Sequence, residues 1–173
     1  MIKNKLKSLD TRSIYSCQIP MKSDTYVINR YLEHPIYRYD VYALINNDKV
    51  EALCVVRPVR INDTLVLRFV DFIGHNQSFF KLHSCLLGIL KVYEAEYIDI
   101  YSHGIPLEIL SKTGFINRQM VPDLIIPNHF EPFERENIEV SFAFKNLNFD
   151  KPVKLFKGDS DTDRPSIIPH YTK

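Results

Sequence analysis

The sequence predicts an α+β fold, a mixed sheet flanked by helices. Three observations predict it. Residues 37–73 hold three alternating or apolar runs parted by two short turns, which reads as an antiparallel meander. Residues 64–101 read as strand, turn, helix and strand, the order that makes neighbouring strands parallel. Residues 137–144 alternate once more and supply a closing antiparallel strand.

Each element has a local reason. Residues 13–19 suit a short edge strand that Pro20 stops. Ser23 or Asp24 caps a helix over 25–32, and His34-Pro35 ends it. Tyr37, Tyr39, Val41, Ala43 and Ile45 alternate as a strand does, before the turn cluster Asn46-Asn47-Asp48. Residues 50–59 form the next strand, with Pro58 near its end and a turn at Asn62-Asp63. The third strand is the apolar, β-branched run TLVLRFVDFI at 64–73. After the turn Gly74-His75-Asn76, a helix over 77–95 places Phe79, Leu82, Leu86, Ile89, Leu90 and Tyr93 at three- and four-residue steps. Residues 97–101 are the parallel partner strand. A short helix follows, with Pro106 in its first turn, Gly114 past its end, and Leu107, Ile109 and Leu110 on its buried side. Residues 115–126 are extended but interrupted by Pro122. The organisation is therefore an N-terminal extension or reduced first strand (1–24), a main domain (25–145) and a polar C-terminal tail (146–173) containing KGDSDTDRP.

Composition narrows the class. A chain of 173 residues is one domain with its own core, and 45% hydrophobic with 25% charged residues is ordinary for a globular protein. A net charge of +1, with no basic stripe carrying interleaved aromatics, gives no footprint for nucleic acid. Lys3, Lys5, Lys7 and Arg12 read as a solvated basic tail. No run of about 20 apolar residues is present to span a bilayer, and the N-terminal lysines precede no apolar signal block. Cys17, Cys54 and Cys85 are scattered and lack zinc spacing, which fits a reducing cytoplasm. Cys54 and Cys85 read as small core residues.

The element order, the glycine turn after the third strand and the pair Gly114-Phe115 resemble the GNAT acyltransferase superfamily over roughly residues 25–144. Several strings look like one branch of it, the GNAT-like proteins of bacterial surface-polysaccharide loci. They are Tyr31-Leu32-Glu33-His34-Pro35 with Tyr37, Val70-Asp71-Phe72-Ile73-Gly74, Tyr97-Ile98-Asp99, Ile126-Pro127-Asn128 with Phe130-Glu131-Pro132-Phe133, and the run from Lys157 to Pro165. The resemblance implies acyl transfer from acetyl-CoA or another acyl-CoA to an amino sugar or related small amine. It places the cofactor's diphosphate on the main-chain amides of Ile73, Gly74, His75, Asn76 and Gln77. The superfamily turn usually carries further glycines; here Gly74 stands alone, followed by Phe79 and Phe80. Relatives of this type usually carry more chain ahead of the domain, which implies a missing or reduced first strand and helix here; a homodimer or a partner chain is the expected macromolecular partner.

Direct acyl transfer needs a base for the amine and an acid for the departing thiolate. Asp71, near the end of the long strand between Val70 and Phe72, is the candidate base; alternatively it caps the turn or pairs with a basic residue. His103, beyond the second parallel strand, and Tyr101 are candidate acids; the other reading of His103 is a solvated loop imidazole. His83 reads as a satisfied core histidine, and His75 stands where an anion would approach. Asp159, Asp161 and Asp163 have calcium-loop spacing, but Arg164 replaces the required glycine and His170 the bidentate glutamate, so no metal is expected. Glu131, Asp159, Asp163 and Arg164 are instead candidate substrate contacts, in a polar clamp or in a tail fixed by tight Asp turns. Two functions follow as expectations: an acyl-CoA-dependent N-acyltransferase of surface-glycan biosynthesis, or a GNAT-fold binding or partner domain without CoA chemistry.

Overall fold

The computed structural model describes residues 10–127, 135–147, 150–160 and 163. A four-stranded mixed sheet runs β1 (Asp40–Asn46), β2 (Lys49–Ile61), β3 (Thr64–Gly74) and β4 (Ile98–Ile100) in that spatial order. The first three strands are antiparallel and β3–β4 is the parallel pair. Asn47, Asp48 and Asn62 take positive φ in the two hairpin turns, a conformation Asn and Asp tolerate best after glycine.

Each face of the sheet has its own cover. Leu53, Val55, Val70 and Ile73 pack under the N-terminal helices α1 (Arg12–Tyr15) and α2 (Asp24–Val27), whose last turn continues as a π-helix, Ile28–Leu32. Ala52, Cys54, Val56, Phe69 and Phe72 face α3 (Asn76–Phe80), α4 (His83–Tyr93) and Phe156. Neighbours in sequence go to opposite faces because the side-chain period of a strand is two. A bulge between Val55 and Val56 leaves Val70 without a partner and sets Asp71 opposite Val55. Among the described residues, no helix is long and apolar enough to cross a membrane.

The structure differs from the sequence reading at several places, and Leu107, expected on the buried side of its helix, is exposed. Residues 13–19 do not form an edge strand. Arg12–Tyr15 is one helical turn lying across the sheet, where Ile14 and Tyr15 are buried, and only Ile19 makes a bridge, to Val153. The helix over 77–95 is split in two. Lys81 and Leu82 donate to carbonyls three residues back, 3.2 and 3.0 Å away, and this tighter turn lets both Phe79 and Leu82 reach the core while Phe80 stays exposed. Residues 115–126 hold only a short 3₁₀ turn, Arg118–Met120. Among the described residues, residues 137–144 join no sheet, although Phe142 and Phe144 lie against His103. Among the helix signals, Ser23 is the cap, its side chain accepting from the Tyr26 amide. Glu94 ends α4 in the left-handed conformation.

The segment after residue 150 positions the candidate site. β3 and β4 stay paired only from Leu67↔Ile98 to Phe69↔Ile100, and then they diverge. β4 leads into β5 (Ser102–His103), which pairs antiparallel with β6 (Leu155–Phe156). The opening between the diverging strands is therefore filled from within. Gly158 sits against Val70 of β3, Phe156 packs 6.3 Å from the rings of Phe69 and Phe72, and Lys154 reaches Gly74. Replacing Phe156 by alanine removes this plug; the expected loss is about 3–5 kcal/mol of stability, read from urea unfolding.

Candidate functional site

Asp71 is fully buried, and every contact it makes is internal. The ammonium of Lys22 lies 2.5 and 2.6 Å from its two carboxylate oxygens, and the Tyr31 hydroxyl donates to Oδ2 at 2.7 Å. The Phe72 amide donates to Oδ1 at 2.8 Å. Lys22 also reaches Asp159 Oδ1 at 2.9 Å, while Asp159 Oδ2 accepts from the Phe156 amide at 3.0 Å. Burial works against the Lys22 charge, but Asp71 and Asp159 outweigh it and hold its pKa above the ordinary lysine value. Burial likewise pushes the Asp71 carboxyl up, opposed by Lys22. Tyr31 is held neutral, chiefly by burial and then by the neighbouring Asp71 charge. The π-turn after Val27 carries Tyr31 on the helix that covers this face, with Glu33 donating to Ile28 O at 2.8 Å. Of the readings open for Asp71, pairing with a basic residue is the arrangement the structure contains.

The turn after β3 is partly occupied. The Gly74 amide donates to Gln18 Oε1 at 3.3 Å, and Gln18 Nε2 donates to Phe72 O at 3.2 Å. The Gln18 side-chain amide thus does for β3 what the peptide of a neighbouring strand would do. Lys154, itself buried, caps the Gly74 carbonyl at 2.5 Å. A side chain at Gly74 would meet Ala52 Cβ at 2.7 Å, so this glycine serves the close approach of β2 to β3. Ile73 is a buried ladder residue opposite Leu53. His75 and Gln77 are exposed, and Asn76 opens α3 with its buried Oδ1 unpartnered. Their amides belong to the first turn of a five-residue helix, so they keep the unpaired donors of a helix start but little macrodipole.

The candidate acids lie across the filled opening from Asp71. Tyr101 is half-buried, with Lys157 Nζ 4.9 Å from its ring centre, and its pKa is raised, first by burial and then by Asp99. His103 is exposed, and its ring rests on Phe142 and Phe144 at 5.0 and 5.5 Å. The segment that carries Phe156, Lys157 and Asp159 touches both sides, pairing with Ser102 and bonding through Lys22 to Asp71. His83 is a correction to the sequence reading: it is exposed at the start of α4, with Nδ1 3.0 Å from the Thr113 carbonyl. Cys54 is in the core, whereas Cys85 is only partly buried.

A second polar cluster continues along the same face, and sequence reasoning did not assign it. Arg57 stands opposite Arg68, and Arg68 opposite Asp99, so one row of charge crosses three strands. Arg68 pairs with Asp99 through two bonds of 3.2 and 2.9 Å. Asp163 covers the row. Its Oδ1 lies 2.9 Å from Arg57 Nη2 in an ion pair not aligned as a hydrogen bond, and its Oδ2 accepts from Tyr39 at 2.7 Å. Arg30 donates to the Asp163 carbonyl at 2.9 Å, and Tyr37 lies under the Arg57 guanidinium. Of the expected substrate contacts, Asp159 and Asp163 are thus engaged by the protein's own cations. Glu131 and Arg164 lie outside the described residues. The signal for these clusters was present in the strand itself: Arg68 and Asp71 are charges inside an apolar run, and a buried charge must be paired.

Two hollows lie against β4 rather than at the turn. One of about 390 Å³ is lined by Leu86, Leu90, Ile98, Phe115 and Ile126; the other, about 810 Å³, by Tyr101, Leu110, Arg118, Val121 and Val140.

Two stability measurements test the charge assignments. Lys22→Met leaves Asp71 buried without its counter-ion and is expected to cost about 3–5 kcal/mol in urea unfolding. Adding Asp71→Asn to it should recover part of that loss, because the two sites are coupled. Lys157 is the second case: burial, followed by the Arg68 charge, pushes its pKa down to about 7. The unfolded chain therefore binds a proton that the folded chain lacks, from there up to the ordinary lysine value. Stability rises with pH across that window. Relative to Lys157→Met, the wild-type protein should gain up to about 1.4 kcal/mol per pH unit between about pH 7 and about pH 9, measured as urea midpoints.

Comparison with protein-family models, with curated proteins and with solved structures returns no match.

Proposed function

We propose that this chain is a GNAT-like domain that acts by binding a partner and has given up acyl-CoA chemistry. The observation that carries this reading is the filled opening between β3 and β4, where residues 154–158 lie against Val70, Phe72 and Gly74. In the GNAT resemblance that opening is where the pantetheine arm would enter. Here it contains a buried aromatic ring and a buried lysine. Admitting a cofactor would expose Phe156 and break the Lys22–Asp159 and Lys154–Gly74 contacts together. The engaged Gly74 amide supports the same reading. So does the apolar surface beyond β4, where Ile116, Met120, Ile125, Phe142, Phe144 and Leu147 are exposed.

One observation favours the second reading, an N-acyltransferase acting on an amino sugar or small amine in surface-glycan synthesis in the cytoplasm. Asp71 has the raised carboxyl pKa a base requires, and the Lys154 ammonium stands at the turn where a diphosphate would lie. That reading needs residues 153–159 to leave the opening, with Tyr101 or His103 then within reach as the acid. Calorimetric titration of the folded protein with acetyl-CoA separates the two. No saturable heat up to about millimolar ligand is expected; saturable binding together with acetyl transfer to an amino sugar overturns the partner-domain reading.

A further inference from the structure

Residues 138–145 have the pattern of a strand but, among the described residues, pair with no strand. Phe142 and Phe144 both rest on His103, their rings 6.3 Å apart and nearly parallel at 11°, as residues two apart in an extended chain do. Yet among the described residues no main-chain amide or carbonyl of 138–145 makes a backbone hydrogen bond. All of residues 139–145 are exposed, including Val140 (40%), Phe142 (55%) and Phe144 (50%). An unpaired, apolar, extended edge is a template for another strand.

We propose that this stretch pairs antiparallel with the same stretch of a second copy of the chain, about a two-fold axis through Phe142. The sequence around that axis is complementary to itself. Centring the axis on Phe142 sets Glu139 of each copy opposite Lys145 of the other, twice over. It sets Val140 opposite Phe144, also twice, and Phe142 opposite its own equivalent. The even-numbered apolar residues then share one face, continuous with the surface over His103, while Glu139, Ser141, Ala143 and Lys145 share the other. Moving the axis by one residue in either direction leaves Glu139 facing Ala143 or Leu147, and both ion pairs are lost. A closed two-fold of this kind uses up the edge and stops at a dimer.

The proposal names the partner of the surface on which the binding reading rests, and it is tested by association, not by cofactor. The full chain should sediment as a concentration-dependent dimer. Glu139→Lys and Lys145→Glu should each weaken that dimer by about tenfold, since each turns two attractive pairs into two repulsive ones. Mixing the two variants should restore it, because every pair in the mixed dimer is again of opposite sign. Glu139 also pairs with Arg118 within its own chain, so Lys145→Glu is the cleaner of the two, with circular dichroism confirming the fold. Under oxidation Phe142→Cys should link two chains, since opposite residues in an antiparallel pair are within disulfide reach, while Ser141→Cys should not. A protein that stays monomeric at about 100 µM, or a dimer indifferent to both charge reversals and to Phe142→Cys, overturns the proposal. A monomer that ignores acetyl-CoA leaves the binding reading standing without this partner; a dimer that binds acetyl-CoA does the reverse.

Discussion

One ammonium group ties three parts of this chain together. Lys22 comes from the N-terminal cover, Asp71 from the middle of the sheet and Asp159 from the segment inserted beside it. A lysine buried to this degree is tolerable only with both carboxylates in place, and each carboxylate only with the lysine. Two carboxylates around one cation leave an excess negative charge. Donors from the Tyr31 hydroxyl and the Phe72 and Phe156 amides offset it. Such a group adds little net stability over an apolar equivalent, but it admits one arrangement only. Gly158 follows from it: a side chain there would meet the Tyr31 hydroxyl at 2.3 Å, so the inserted segment lies as close to the cover as the backbone allows.

The same constraint explains why the opening between β3 and β4 is filled. β3 runs five residues past the end of its pairing with β4 and would leave peptide groups of Phe72 and Gly74 without partners inside the protein. Side chains take the place of the missing strand: Gln18 bonds the Phe72 carbonyl and the Gly74 amide, and Lys154 the Gly74 carbonyl. Asn137 repeats the device, accepting from the Ile126 amide at 2.9 Å and donating to the Leu124 carbonyl at 2.8 Å. In both places a side-chain amide reproduces the spacing of a strand's own peptide. An opening lined with unpaired donors is suited to an anion, whereas an opening whose donors are already paired becomes core.

The parts legible in the sequence were those with strong periodicity or turn chemistry. The three meander strands, the parallel partner, the Ser23 cap and the apolar side of the long helical region all follow from side-chain spacing. The parts that were not legible depend on tertiary partners. Residues 137–144 alternate as cleanly as β1, but alternation does not say whether a neighbouring edge exists. The break at Lys81–Leu82 answers to the ring of Phe79 entering the space between Phe69 and Phe72, which no helical pattern reveals. For the site, Asp71 was recognisable as a charge in an apolar strand, but its partner Lys22 lies 49 residues away in a segment with no strong pattern. Gln18 and Lys154 were invisible for the same reason: their roles come from backbone groups they meet only in the folded chain.

The row Arg57, Arg68 and Asp99 extends the logic from one ion group to the whole face. Two guanidiniums directly opposite each other on neighbouring strands repel, and that repulsion is tolerated because Asp99 and Asp163 flank them. Lys157 then enters beside the row with its pKa already depressed, so it adds bulk and donors at less charge than an ordinary lysine would. Three pieces of chain distant in sequence must be in register before any of these charges is buried. The C-terminal segment is therefore specified by electrostatics as much as by apolar contact. Specification weakens where the charges end: beyond β4 the chain carries exposed aromatic and aliphatic side chains, held among others by Asn137, the Arg118–Glu139 pair and the rings on His103. Both faces of the sheet are therefore covered, and the exposed apolar side chains gather past its β4 edge, where no charged row fixes the chain.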